Sequence, residues 1–256
     1  MLTAALVTII LAGAFIALNE RYHLLTQDHF SSAAVKWIAY GWFALLLFVM
    51  STLVVQSSRT SAVMDMSQVN FWQLFVLHLL LLIFLVVWWF LAGRTRFSKF
   101  FNLQGDRLGE QLLIGGLVGV GGWAATIMIA LVIGLILTAG GLMPEDMQPS
   151  PMIPWMAGLA WWKKSLIVLS AMTVEELFFR GWLQARFGLI ASTVIFAISH
   201  AGYGQPFMLV GVTVISLVIG LTFYYTRRLL PCIIAHGVFD AIQIFIVIPL
   251  ALNLVP

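Results

Sequence analysis

An all-α bundle of about eight membrane-spanning helices is what this sequence predicts, and three observations carry the prediction. Hydrophobic residues fill 62% of the 256 positions and charged residues only 9%. Mean hydropathy is +1.03. The apolar residues fall into runs of about 17–25, the length that crosses a hydrocarbon core ~30 Å thick. This composition excludes a soluble domain and a disordered chain alike. The formal net charge of +3 comes from Lys and Arg scattered at helix ends, so the expected partner is the lipid bilayer and no nucleic acid. The single cysteine, Cys232, rules out an internal disulfide framework.

The first span is 2–18, a retained helix and not a cleaved leader, because no basic segment precedes it and further spans follow. Residues 19–32 form a polar connection whose His23 and His29 suit a solvated interface. Spans two and three are 33–56 and 69–93, with Trp37, Trp42, Trp72, Trp88 and Trp89 suited to interfacial positions. His78, alone in the third span, reads as a packing residue.

In 94–111 the basic residues Arg94, Arg96, Lys99 and Arg107 alternate with Phe97, Phe100, Phe101 and Leu103, the pattern of an amphipathic segment on an anionic, cytoplasmic membrane surface. Span four, 112–141, carries Gly115, Gly116, Gly119, Gly121 and Gly122, which let neighbouring helices come close. The loop 142–155 holds Glu145, Asp146 and four prolines but no Lys or Arg, so it reads as extracytoplasmic.

Four more spans follow at 161–186, 188–203, 207–225 and 229–252. With 94–111 inside, the cytoplasmic side holds Arg21, Lys36, Arg94, Arg96, Lys99, Arg107, Arg180, Arg186, Arg227 and Arg228, ten of the thirteen basic residues. Arg59, Lys163 and Lys164 fall outside, and with eight spans both termini face outward. The chain shows no repeat or linker, so residues 1–256 form one membrane domain: 1–150 supplies the N-terminal spans and the amphipathic segment, and 161–252 the helices that carry polar residues.

Those polar residues are where chemistry is expected. Thr173-Val-Glu175-Glu176-Leu-Phe-Phe-Arg180-Gly181 puts two carboxylates and a guanidinium inside an apolar span. Charges at that depth cost at least ~2.5–3.5 kcal/mol, so they face the protein interior, find partners and mark function. Glu176 and Arg180 are i,i+4 and share a face as a supporting ion pair, which leaves Glu175, about 100° away, as the free carboxylate. At ~1.5 Å of rise per residue, Glu175 lies about 16 Å, His200 about 18 Å and His236 about 12 Å from the cytoplasmic ends of their helices, with Asp240 one turn beyond His236. A carboxylate and two imidazoles thus reach similar depth.

Glu175-Glu176-x-x-x-Arg180, Phe196-x-x-x-His200 and His236-x-x-x-Asp240, in this order on successive helices, resemble the three motifs of the CAAX protease and bacteriocin-processing (CPBP, or Abi) family of intramembrane proteases. That family includes the Ras- and a-factor-converting prenyl protease. The resemblance runs from about residue 161 to the C-terminus. Asp240 stands where the best-known members have Asn, which bears on a neutral amide role there. The resemblance implies hydrolysis of a peptide bond near the cytoplasmic membrane face in a bacterial-type cell membrane, on membrane-associated or lipidated peptides or proteins.

The residue chemistry agrees with it. Glu175 suits a general base that activates water and returns the proton to the leaving amine, His200 holds the same water, and His236 with Asp240 faces the scissile carbonyl. The same atoms allow a metalloprotease: Glu175, His200 and His236 could hold a divalent metal such as Zn²⁺ with water in the fourth position. Cys232, i−4 to His236, is a further candidate nucleophile. Neither HExxH, GxGD nor GxSxG occurs. The alternative class is a non-catalytic polytopic scaffold or regulator, or a small ion-coupled transporter, in which the charges pair structurally or relay ions along a polar path to the other face.

Overall fold

The structure, a computed structural model, describes residues 2–26, 28–60, 69–142, 151–201 and 206–254. Among them every element is helical. In chain order these are α1 (Leu2–Tyr22), α2 (Ala33–Thr60), α3 (Val76–Leu91) behind a 3₁₀ turn Phe71–Phe75, α4 (Phe97–Phe100), α5 (Leu108–Ala139), α6 (Met152–Ala157), α7 (Trp161–Ser170), α8 (Ala185–Ser199), α9 (Pro206–Thr226), α10 (Leu230–Ile242) and α11 (Ile248–Leu254).

Seven helical stretches are long and apolar enough to cross a membrane, the fifth being Trp161–Ser199. Their outward faces carry Ile9, Leu79, Leu113 and Leu135, each more than half exposed, as lipid-facing surfaces should. The chain is an integral multi-pass membrane protein.

The expected division of 161–203 into two full spans is only half correct. Gly188 takes φ 83 and ψ 174, a conformation that needs glycine, and breaks the helix there. The chain doubles back: Ser192 Oγ donates to the carbonyl of Phe179, and the Phe196 ring sits 4.7 Å from that of Phe179. The returning arm ends at Ser199, so its eleven residues reach about 16 Å. That is half a bilayer and not a full crossing. Residues 202–203 of the expected span, and most of the 142–155 loop, lie outside the described residues.

Four connections meet at one end of the bundle. The backbone N–H of His29 donates to Ala92 O and that of Leu229 to Asn102 O. Arg186 grips Asp28 with two hydrogen bonds of 2.6 and 2.8 Å, both side chains almost wholly buried, and Arg228 grips Asp106. The basic segment before α5 is tucked into this end: Phe97 points outward, whereas Phe100 packs under the Arg186 guanidinium and Phe101 against Gly181.

Above it lies an aromatic core. Trp182 meets Phe84 edge-on at 4.8 Å and Trp88 at 5.0 Å, and both tryptophans are fully buried. Trp88 is therefore a core residue and not an interfacial anchor; Trp37 and Trp72 are exposed as expected. The glycines of α5 act as the sequence suggests. A Cβ on Gly115 or Gly119 would lie under 3 Å from Ile234 or Val238 of α10, and one on Gly122 equally close to Ile215 of α9. Only glycine permits this approach.

Candidate active site

The helix carrying the paired carboxylates is wound as a π-helix over Ala171–Glu175 and again over Leu177–Gln184. Such i→i+5 segments are uncommon and concentrate at functional sites. Here the wide winding separates the duties of two neighbouring residues. Glu176 is fully buried and accepts from Arg180 Nη1 at 3.0 Å, the expected ion pair. Its Oε1 also accepts from Nδ1 of His236 at 2.8 Å. Arg180 continues inward, donating from Nη2 to Ser216 O and Oγ, and its guanidinium lies 4.9 Å from the Phe196 ring. The pair is thus coupled to a histidine that the sequence reading kept separate from it.

Glu175 turns to a cavity of about 380 Å³ lined by His78, His200, His236 and Asp240 among many apolar side chains. Its Oε1 accepts from Nε2 of His78 at 3.1 Å, and His78 Nδ1 is hydrogen-bonded to the Ser170 hydroxyl at 2.6 Å. A carboxylate only accepts, so Nε2 of His78 is the donor in this chain of bonds. The other oxygen, Oε2, is buried and without a hydrogen-bond partner among the described residues, 4.0 Å from Nε2 of His200.

His200 is held from its far side. Nδ1 donates to Phe196 O at 2.8 Å, and the Phe196 ring lies against the imidazole, tilted by 30°, at 4.5 Å. Nε2 is thereby turned toward the carboxylate. His236 Nε2 lies 3.4 Å from Asp240 Oδ2, one turn along α10. The structure therefore brings Glu175, His200, His236 and Asp240 to one cavity wall, with Glu176 and Arg180 directly behind it.

Two further candidates separate. Cys232 is fully buried, bonds backward to Arg228 O and Ile219 O, and does not line the cavity, so it packs instead of serving the site. Among the described residues no three His, Cys, Asp or Glu side chains are arranged to hold a metal ion, and Nδ1 of His236 is occupied by Glu176.

The residue that sequence reasoning missed is His78. The signal was available: it is an ionisable side chain deep in an apolar span, the same criterion that singled out Glu175. Its partner came from a helix 97 residues away, which no local spacing shows.

Comparison with known proteins points the same way. Residues 157–242 match the family described as Type II CAAX prenyl endopeptidase Rce1-like. Over 69 residues the chain is 39% identical to the uncharacterized protein YpbD of Bacillus subtilis (strain 168), which is 27% of this chain. The chain spans only 36% of that relative's length. No solved structure matches.

Proposed function

We propose that this protein is an intramembrane endopeptidase that hydrolyses a peptide bond by glutamate-activated water. The observation that carries the proposal is the placing of Glu175 Oε2, buried and without a hydrogen-bond partner among the described residues, 4.0 Å from His200 Nε2 on the wall of a mainly apolar cavity. Two acceptors at that separation are what one bridging water fits, donating a proton to each. The match of residues 157–242 supports the reaction class.

In this reading Glu175 takes a proton as the water oxygen attacks the scissile carbonyl, and passes it to the leaving amine when the C–N bond breaks. His78, which donates to the other carboxylate oxygen, fixes the rotamer. His236 faces the carbonyl. Glu176 holds Nδ1, and Nε2, only loosely met by Asp240 at 3.4 Å, is the nitrogen whose N–H donates to the developing oxyanion. Arg180 holds Glu176, and so positions His236 without touching substrate. Direct glutamate chemistry is preferred to zinc because the donor set is not arranged around one point. The preference over a transporter rests on the buried polar groups behind the cavity being held in fixed pairs: Glu176 with Arg180, Arg180 with Ser216, and Arg186 with Asp28.

The test is cleavage of an internally quenched apolar peptide by the purified protein in liposomes, with metal analysis, chelation and add-back. Cleavage that survives metal removal is expected. Chelator-sensitive activity restored only by a divalent metal would overturn the direct role of Glu175 and leave the protease assignment standing. No cleavage of any membrane-tethered peptide, with the fold intact, would favour the scaffold reading.

A further inference from the structure

Among the described residues, two hydroxyl or amide side chains on the cavity wall have no part in the reaction above: Ser199 and Gln243. Ser199 is accounted for, since its Oγ donates to Phe196 O at 2.7 Å. Gln243 is left over. Its side-chain oxygen accepts from the indole Nε1 of Trp123 on α5 at 3.2 Å, from a residue 120 positions away. An indole N–H can only donate, so this contact fixes which end of the amide is which. The oxygen faces Trp123, and the amide nitrogen, a pure donor, has no hydrogen-bond partner among the described residues. Trp123 does not line the cavity, so it can serve the site only by holding Gln243.

The helix sets where this free donor stands. His236, Asp240 and Gln243 follow one another at i, i+4 and i+7, one stripe along α10 and its continuation. At Gln243 the helix widens into a π segment, Gln243–Val247, the same winding that occurs at Glu175. At ~1.5 Å of rise per residue, Gln243 lies about 10 Å from His236 along the axis. An extended peptide advances ~3.3 Å per residue, so the separation corresponds to about three residues of substrate. Around the stripe the lining is mostly Met, Leu, Ile and Phe, which can pack against side chains but offer nothing to a main chain. A peptide in such a cavity brings backbone carbonyls that water no longer serves, and each one left unpaired is costly.

We propose that Gln243 donates from its amide nitrogen to a backbone carbonyl of the substrate about three residues from the scissile bond, and that Trp123 is the positioning residue that aims it. The substrate class that follows is an extended apolar peptide, gripped at this point through its main chain and so with little demand on the side chain there. The inference rests on the proteolytic reading, which puts the scissile carbonyl beside His236. A neutral amide suits a neutral carbonyl. A free carboxylate there would meet Asp240, one turn back on the same stripe, and be repelled. Trp123 and Gln243 both lie outside residues 157–242, so the contact belongs to this chain and is not carried over from the matched stretch.

Removing carbonyls from the ligand tests the contact without disturbing the fold. A series of apolar peptides, each with one peptide bond replaced by an (E)-alkene, is titrated into the full chain in liposomes, in a Glu175→Gln background that binds without cutting. Adding Gln243→Met is expected to weaken every member by about tenfold except the one whose alkene replaces the contacted bond, which should bind as before. Trp123→Phe should weaken the unmodified peptide by about threefold at unchanged Tm, and add nothing when Gln243→Met is already present. A Gln243→Met effect that is equal for every peptide, or absent for all, overturns the proposal, as does failure of the peptides to bind. Cleavage by the chain with Glu175 restored is scored separately. Binding with the expected pattern but no cutting would defeat the proteolytic reading and leave the carbonyl contact standing.

Discussion

The two ends of this bundle use the same chemical materials for opposite purposes. At the basic end, Asp28 and Arg186 satisfy each other with two short hydrogen bonds, and aromatic rings close over them. The two buried charges there answer each other, and the rings pack around them. In the other half, carboxylates and imidazoles also sit in apolar surroundings, yet Glu175 keeps one oxygen unanswered and turned to a cavity. The difference teaches how a membrane protein can bury charge either as structure or as reactivity. What decides between them is whether the last lone pair finds a protein partner. Glu175 and Glu176 repeat the contrast in adjacent residues.

The sharpest way to break this comparison is to remove the unanswered charge alone. Glu175→Gln keeps the shape and the contact with His78, so insertion and folding are expected to persist, while peptide cleavage falls by about 10²–10⁴-fold. Retained cleavage in the purified protein would remove Glu175 from the base role and, with it, the contrast between the two glutamates.

Next in size are two truncations that compare the ends directly. Arg180→Ala and Asp28→Ala each strand one buried charge, and each should lower stability by about 3–5 kcal/mol, measured as thermal unfolding in detergent. Their effects on chemistry should diverge. Cleavage per folded molecule should hold in Asp28→Ala and fall in Arg180→Ala, because Arg180 holds the carboxylate that holds His236. Equal activity per folded molecule in the two variants would make the Glu176–Arg180 pair purely structural.

A smaller loss is expected at His78. His78→Ala frees Glu175 from its orienting bond, and kcat should fall by about 10–100-fold, as removal of a supporting partner does elsewhere. KM should change little. His78→Asn, which can still donate, should restore part of the rate. A loss confined to KM would make His78 a wall of the substrate cavity and not a positioning residue.

How much of this was legible in the sequence depends on the range of the interaction. Helical periodicity put Glu176 and Arg180 on one face and Glu175 on another, and the structure keeps that division even though the helix is π-wound. Hydropathy marked the spans because lipid requires an apolar exterior on each. The motif order brought His200 and His236 to the same cavity, since each lies about half a bilayer along its own helix. What was not legible was set by pairing between distant helices. His78 meets Glu175, and Asp28 meets Arg186 across 158 residues.

The smallest expected effect concerns Asp106, at the outer surface of the basic end. Arg228 donates to it from both terminal nitrogens, at 2.9 and 2.7 Å, but the carboxylate is more than half exposed, so water and salt compete with the pair. These hydrogen bonds hold the Asp106 carboxyl below the usual carboxylate range. Folding therefore favours the ionised form. Its contribution is complete above the unfolded value of about 3.9 and is lost as pH falls through the lower folded value. Asp106→Asn should accordingly show a slightly lower Tm than the parent at neutral pH, and the gap should shrink in high salt and close in strong acid. Cleavage should be unchanged throughout, because nothing connects this pair to the cavity. A large loss of stability, or any loss of cleavage per folded molecule, would mean that the basic end is not inert and that the two ends are mechanically linked.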